Sequence, residues 1–265
     1  MTLLAMECWA ACLGDCNDRQ SGEHIVSRSL FVDEEIDVTG FSWCRETKRI
    51  PVATLTKNIL CKHHNSMLSP VDKGGANAFK AFRESMALAS VRGKLGGRFT
   101  NIVKHRFDGP MLERWLLKTV INIAYDGVKF IGHSNAKGMP SDELVRIAFG
   151  LDPFPGRAGL SFAVPIGAQF RSVESLTAAP LVKEPEERID GCLFLFRGFL
   201  MVLFFGAQGL PTPLIGVQFM GVNLGRTQMN FHNDTIHVNA GKHRSQSIKI
   251  AWPDGTGIIG VEASL

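Results

Sequence analysis

Apolar positions along the chain change their spacing twice, and the changes separate three textures. Up to about residue 75 the apolar runs are short and broken by turn formers, which predicts strands near 24–31 and 36–44 and a helix opening near Asn58. The apolar start, residues 1–13, has no basic lead and carries Cys8 and Cys12 inside its run, so it reads as a first strand rather than a secretion signal. From 76 to 91 the residues Ala78, Phe79, Phe82, Met86 and Leu88 recur at helical spacing until Gly93, Gly96 and Gly97 end the run. Residues 112–125 repeat the pattern with Asp126-Gly127 as the stop, and Ser141 is placed to cap a short helix through Phe149.

Beyond Gly150 the runs become β-like and are separated by Pro and Gly, at 161–166, 193–196, 199–205, 215–220, 235–238 and 247–252. The most apolar stretch, 192–205, is too short to span a bilayer, and Arg197-Gly198 in its middle suits a tight hairpin. No membrane anchor is expected. The hairpin is expected to build a core, with a homodimer contact through the C-terminal domain as its second use. The fold class read from these patterns is α+β. Residues 1–75 form a small zinc-stapled module, and 76–265 form a helical linker and a β-rich domain whose sheet packs on the two helices.

Composition changes this picture little. With 45% hydrophobic and 20% charged residues over 265 positions, the chain is globular rather than disordered. A net charge of +4, from 29 basic and 25 acidic side chains, permits contact with a polyanion without demanding it. Cysteine placement says more: Cys8, Cys12, Cys16 and Cys61 share the first quarter with His24, His63 and His64. That clustering suits a metal site in a reducing cytoplasm better than a disulfide framework. A module of this size commonly needs such a staple.

Cys61 and His64 stand three apart at a predicted helix start, so both can face one tetrahedral zinc ion. The other two ligands come from Cys8/Cys12 or from Cys12/Cys16, each spaced C-x3-C. Cys8 and Cys12 are preferred because Leu13-Gly14 looks like the turn that closes a knuckle, with Cys16 as the alternate. His63 faces away from that side, and Cys44 is a spare buried thiol. His232, His237 and His243, with Lys242 and Arg244, fit no metal spacing and are read as separate loop and strand residues.

The order Cys pair, Glu23-His24-Ile25, then Leu60-Cys61-x-x-His64-Asn65-Ser66-x-Leu68-Ser69 resembles the HNH (ββα-metal) endonucleases over residues 8 to 75. The resemblance implies a metal-dependent endonuclease acting on nucleic acid, DNA first, in a setting such as bacterial defence or restriction. It implies His24 as general base, and Glu23 and Asn65 as ligands of a catalytic Mg²⁺ or Mn²⁺. Expected products carry 5′ phosphate and 3′ hydroxyl ends. Arg28 is a candidate for holding the scissile phosphate. Glu23 and His24 are neighbours on a strand and point to opposite faces, so both reach one phosphate only if the strand ends or bulges there. The alternative is a zinc-stapled nucleic-acid-binding or regulatory module whose nuclease centre is incomplete.

Overall fold

The computed structural model describes residues 8–17, 19–27, 35–38, 44–94, 104–165, 176–206, 218–219, 222–223, 227–239 and 245–253. Two helices, α2 (Ser69–Lys94) and α3 (Gly109–Ala124), lie at the centre of the hydrophobic core. Asp108 caps α3 by accepting from the backbone N–H of Met111 at 2.9 Å, with Pro110 in the first turn where no N–H is needed. The helices approach closely because Gly75 has no side chain: a Cβ there would sit 2.4 Å from Cγ of Trp115. Helix α2 opens at Ser69, seven residues before the run expected from 76, and passes through residue 75.

The large sheet is laid against these helices. Its order is β13 (Thr227–Phe231), β7 (Gly159–Pro165), β10 (Phe199–Phe204), β9 (Arg188–Phe196), β8 (Leu176–Lys183), β2 (Glu35–Val38) and β3 (Lys48–Pro51), with β6 (Phe130–Ile131) also pairing β9. Aromatic rings seal the contact: Phe79 meets Phe196 edge-on at 4.7 Å, and Phe82 stacks on Phe199 at 4.6 Å. The β9/β10 hairpin turns at Arg197-Gly198 as the sequence requires, both residues at positive φ, with Phe196 opposite Phe199. Every residue of β10 is buried. A smaller sheet joins β14 (Thr235–Asn239), β15 (Ser245–Ala251) and β5 (Lys104–Asp108), the last pair parallel. Mixed helix and strand content makes the fold α+β.

Several early elements differ from expectation. Residues 8–13 are a turn and a short 3-10 helix (Ala11–Leu13), not a strand, and residues 1–7 lie outside the described residues. Strand β1 is Gln20–His24, so it ends where the sequence reading began one. Asn58 lies within β4 (Thr56–Cys61), and the helix that follows, α1 (Lys62–Met67), opens four residues later than expected. Strand β8 was not anticipated; Pro180 sits inside it and breaks the usual strand pattern. Helix α4 (Asp142–Phe149) matches its prediction: Ser141 Oγ accepts from Leu144 N–H, and Gly150 closes it at φ 72°. Of the expected runs, residues 28–31, 39–43, 166, 215–217 and 220 lie outside the described residues. No helix among the described residues is long and apolar enough to cross a membrane.

Candidate functional site

Strands β1 and β4 pair antiparallel, and β4 leads directly into α1. Cys61 is the N-cap of that helix, its sulfur accepting from the His64 N–H at 3.4 Å. The cap fixes both side chains on one side of the first turn, as the three-residue spacing requires.

The rest of the cluster comes from the N-terminal loop. Trp9 N–H donates to the Ile59 carbonyl at 3.0 Å and anchors the loop to β4. The 3-10 turn follows, and Gly14 (φ 78°) and Asp15 (φ 49°) then reverse the chain in the left-handed region. That reversal brings Cys16 back to Cys8. Cys12 stands in the middle of the 3-10 turn and is exposed, outside the cluster. The group is therefore Cys8, Cys16, Cys61 and His64, with ligand atoms all within 4.8 Å of one another. It takes one cysteine from each of the two spacings considered and leaves out the one they share. The Leu13-Gly14 turn exists, but what it presents is Cys16.

Distances decide whether this group fits a metal. Nδ1 of His64 lies 3.4 Å from Sγ of Cys8, 3.5 Å from Cys16 and 3.3 Å from Cys61. In a tetrahedral site with metal–sulfur bonds of about 2.3 Å and a metal–nitrogen bond of about 2.0–2.1 Å, the nitrogen–sulfur edge is about 3.5–3.6 Å. The three observed edges agree to within a few tenths of an ångström. Three sulfurs and one imidazole form the donor set of a structural zinc site.

The electrostatics match. Burial pushes the thiols of Cys8 and Cys16 up, Cys16 to about 12, where sulfur pairs keep a proton unless a cation replaces it. Burial opposes the Cys61 thiolate too, but the backbone N–H groups of His64 and Asn17 outweigh it and pull Cys61 down. Burial lowers His64 below the ordinary histidine value, against the pull of Asp15, so its ring is neutral and able to ligate. Oδ1 of Asp15 lies 3.1 Å from Nε2 of His64, an ion-pair distance without hydrogen-bond alignment, and Oδ2 lies 3.2 Å from Nε2 of His63. His63 is not part of the cluster and shares Asp15 with His64.

The start of β1 lies beside the cluster, with Gln20 opposite Cys61, and the strand ends further along β4, with His24 opposite Thr56. Its pairing with β4 slips between Ser21 and Glu23, is regular again at Glu23 and His24, and stops at His24. Asn65, on the first turns of α1, donates from Nδ2 to Ser21 Oγ at 2.7 Å, leaving its amide oxygen for other partners. Nδ1 of His24 is enclosed and has no hydrogen-bond partner among the described residues. Glu23 is only 4% exposed, and its Oε1 meets Nζ of Lys118 at 2.6 Å. Burial raises the Glu23 carboxyl, with Lys118 opposing. Arg28 lies outside the described residues.

The chain matches no family model, no curated protein and no solved structure.

Lys118, Asp72 and Asp15 had been passed over, although Lys118 carries a visible signal. It falls on the apolar side of the run at 112–125, three residues after Trp115, where a lysine requires a buried carboxylate partner. Asp72 supplies one, with both oxygens 2.8 Å from Nζ. An open cavity of about 460 Å³ next to α1 is lined by Asn17, Arg19, Lys62, His63 and Ser66, which puts two cationic side chains near Asn65. His232 pairs with Glu113 at 2.7 Å. His243, Lys242 and Arg244 lie outside the described residues.

Proposed function

We propose that the protein is a metal-dependent endonuclease of the ββα-metal type that hydrolyses nucleic-acid phosphodiesters, with DNA as the first candidate. One arrangement carries the reading: an antiparallel strand pair runs into a helix, His24 ends the first strand, and Asn65 is tied to that strand beside a Cys3His cluster.

In this reading the Cys3His cluster takes zinc and has a structural task. It fixes α1 against the strand pair so that Asn65 is held over β1. Glu23 and Asn65 offer oxygen donors suited to a hard divalent cation, Mg²⁺ or Mn²⁺, whose chemistry is to neutralise charge on phosphate and leaving oxygen. His24 takes a proton from the attacking water, for which an imidazole is suited near neutral pH. Arg19 and Lys62 face the backbone phosphates from the neighbouring cavity.

One observation favours the second reading, a zinc-stapled module that binds nucleic acid without cutting it: Lys118 already engages Glu23. The two readings separate in one experiment. Single- and double-stranded DNA and RNA are incubated with the protein in Mg²⁺, Mn²⁺ or EDTA, and product ends are mapped. Cation-dependent cleavage leaving 5′ phosphates supports the nuclease. Salt-sensitive binding with no cleavage in either cation replaces it with the binding module.

A further inference from the structure

Lys118 comes from α3, deep in the middle of the chain, and its ammonium ends beside β1. Its side chain is 2% exposed. Nζ contacts Glu23 Oε1 at 2.6 Å and both oxygens of Asp72 at 2.8 Å. Asp72 is fixed in turn: Ser27 Oγ donates to its Oδ1 at 2.6 Å, and Trp115 Nε1 donates to Ser27 Oγ at 3.3 Å. Helices α2 and α3 and the segment after β1 thus converge on one partly exposed carboxylate.

Burying an ammonium group costs several kcal/mol, and an apolar side chain of similar length often serves stability as well or better. A lysine kept here therefore calls for a task that depends on its charge. The charge count suggests which one. Two carboxylates and one ammonium leave a net charge of −1. Asp72 meets the ammonium with two oxygens and Glu23 meets it with one, so the two carboxylates share a single positive charge. Because Lys118 engages Oε1 of Glu23, the contact restricts how that carboxylate can turn and leaves Oε2 outside the lysine's reach.

We propose that Lys118 is the positioning residue of the candidate hydrolytic centre, holding Glu23 in the orientation in which it ligates a divalent cation, with Asp72 as its anchor. The proposal rests on the reading of Glu23 as a cation ligand. It makes the centre composite, since the strand pair and α1 supply the ligands and α2 and α3 supply their alignment. Partners that orient metal ligands typically contribute 10- to 100-fold in metal affinity.

The test uses the full-length zinc-loaded protein and Mn²⁺ as probe. Bound Mn²⁺ is followed by electron paramagnetic resonance, and cleavage is followed separately. Lys118→Met should retain zinc yet raise the half-saturating Mn²⁺ concentration by about 10-fold or more. At saturating Mn²⁺ its turnover should fall less than about threefold. A purely structural loss would lower turnover and leave the Mn²⁺ dependence in place. Asp72→Asn is milder and guards against a Lys118→Met protein that does not fold; by leaving the ammonium unbalanced next to Glu23 it should also weaken Mn²⁺ binding. Folded variants that bind Mn²⁺ as the parent does would overturn the proposal, and tighter binding in Lys118→Met would show that the lysine competes with the cation. A parent that binds no Mn²⁺ and cleaves nothing defeats the nuclease reading, and this proposal with it.

Discussion

Asp15 stands 3.1 Å from the outer nitrogen of His64, while the inner nitrogen of the same ring faces three cysteine sulfurs. A carboxylate at that distance favours, through its charge, the tautomer with its proton on Nε2, which leaves Nδ1 bare for a metal. Asp15→Asn removes the charge with almost no change of shape. Zinc affinity, measured by competition with a chromogenic chelator, should drop roughly 10- to 100-fold. Unchanged affinity would assign Asp15 to His63 alone.

Exchange of single cysteines separates the ligands from the bystander. Cys16→Ser should lose zinc, and Cys12→Ser should keep about one zinc per chain, because only Cys16 is returned to Cys8 by the Gly14-Asp15 reversal. Elemental analysis of the two purified variants decides it, and zinc loss in Cys12→Ser would contradict the geometry.

The same geometry fixes thiol reactivity. In the zinc-loaded protein iodoacetamide should label Cys12 first, the exposed cysteine outside the cluster. Burial, then the neighbouring Asp142 carboxylate, pushes its thiol up to about 11. The thiolate is the reactive form, so labelling should be slow at pH 7 and quicken by roughly tenfold per pH unit up to the pKa. Chelation of the metal should expose further sites, read as added mass on Cys16.

For His24 the contrast is between rate and affinity. His24→Ala should slow cleavage by about 10²- to 10⁴-fold, while zinc content and nucleic-acid affinity stay near the parental values. Cleavage at the parental rate would remove His24 from the mechanism.

Gly75→Ala tests the core rather than the chemistry. In an exposed helix the change stabilises by roughly 0.5–1 kcal/mol. Here the new Cβ meets the Trp115 ring at 2.4–2.8 Å, so the variant should instead lose about 1–3 kcal/mol in denaturant unfolding. A gain would mean that α2 and α3 are free to separate.

The sequence made local features legible and distant ones not. Cys61 and His64 could be paired because a helix start places residues three apart on one side. Ser141, Arg197 and Gly198 announced a cap and a hairpin through their own backbone preferences. Cys16 could not be chosen over Cys12, because the choice depends on two consecutive left-handed residues, and Asp15 is not a residue type that advertises one. The apolar run of β4 is too short for periodicity to tell a strand from a helix, which displaced the start of α1. Lys118 was visible as an anomaly, but its partners Glu23 and Asp72 are close only through folding. The placement of β2 beside β8 lies in the same class.

That last pairing has a consequence for how the protein is made. Asp37 pairs with Thr177, so β2 leaves the ribosome well before the strand that receives it exists. At ~5–20 residues per second the wait is on the order of 10 s. During that time the Cys3His residues, all within the first 64 positions, have already been released and can capture metal. The order of synthesis therefore separates assembly of the Cys3His group from completion of the large sheet: the first needs only the chain already made, the second must wait for β8.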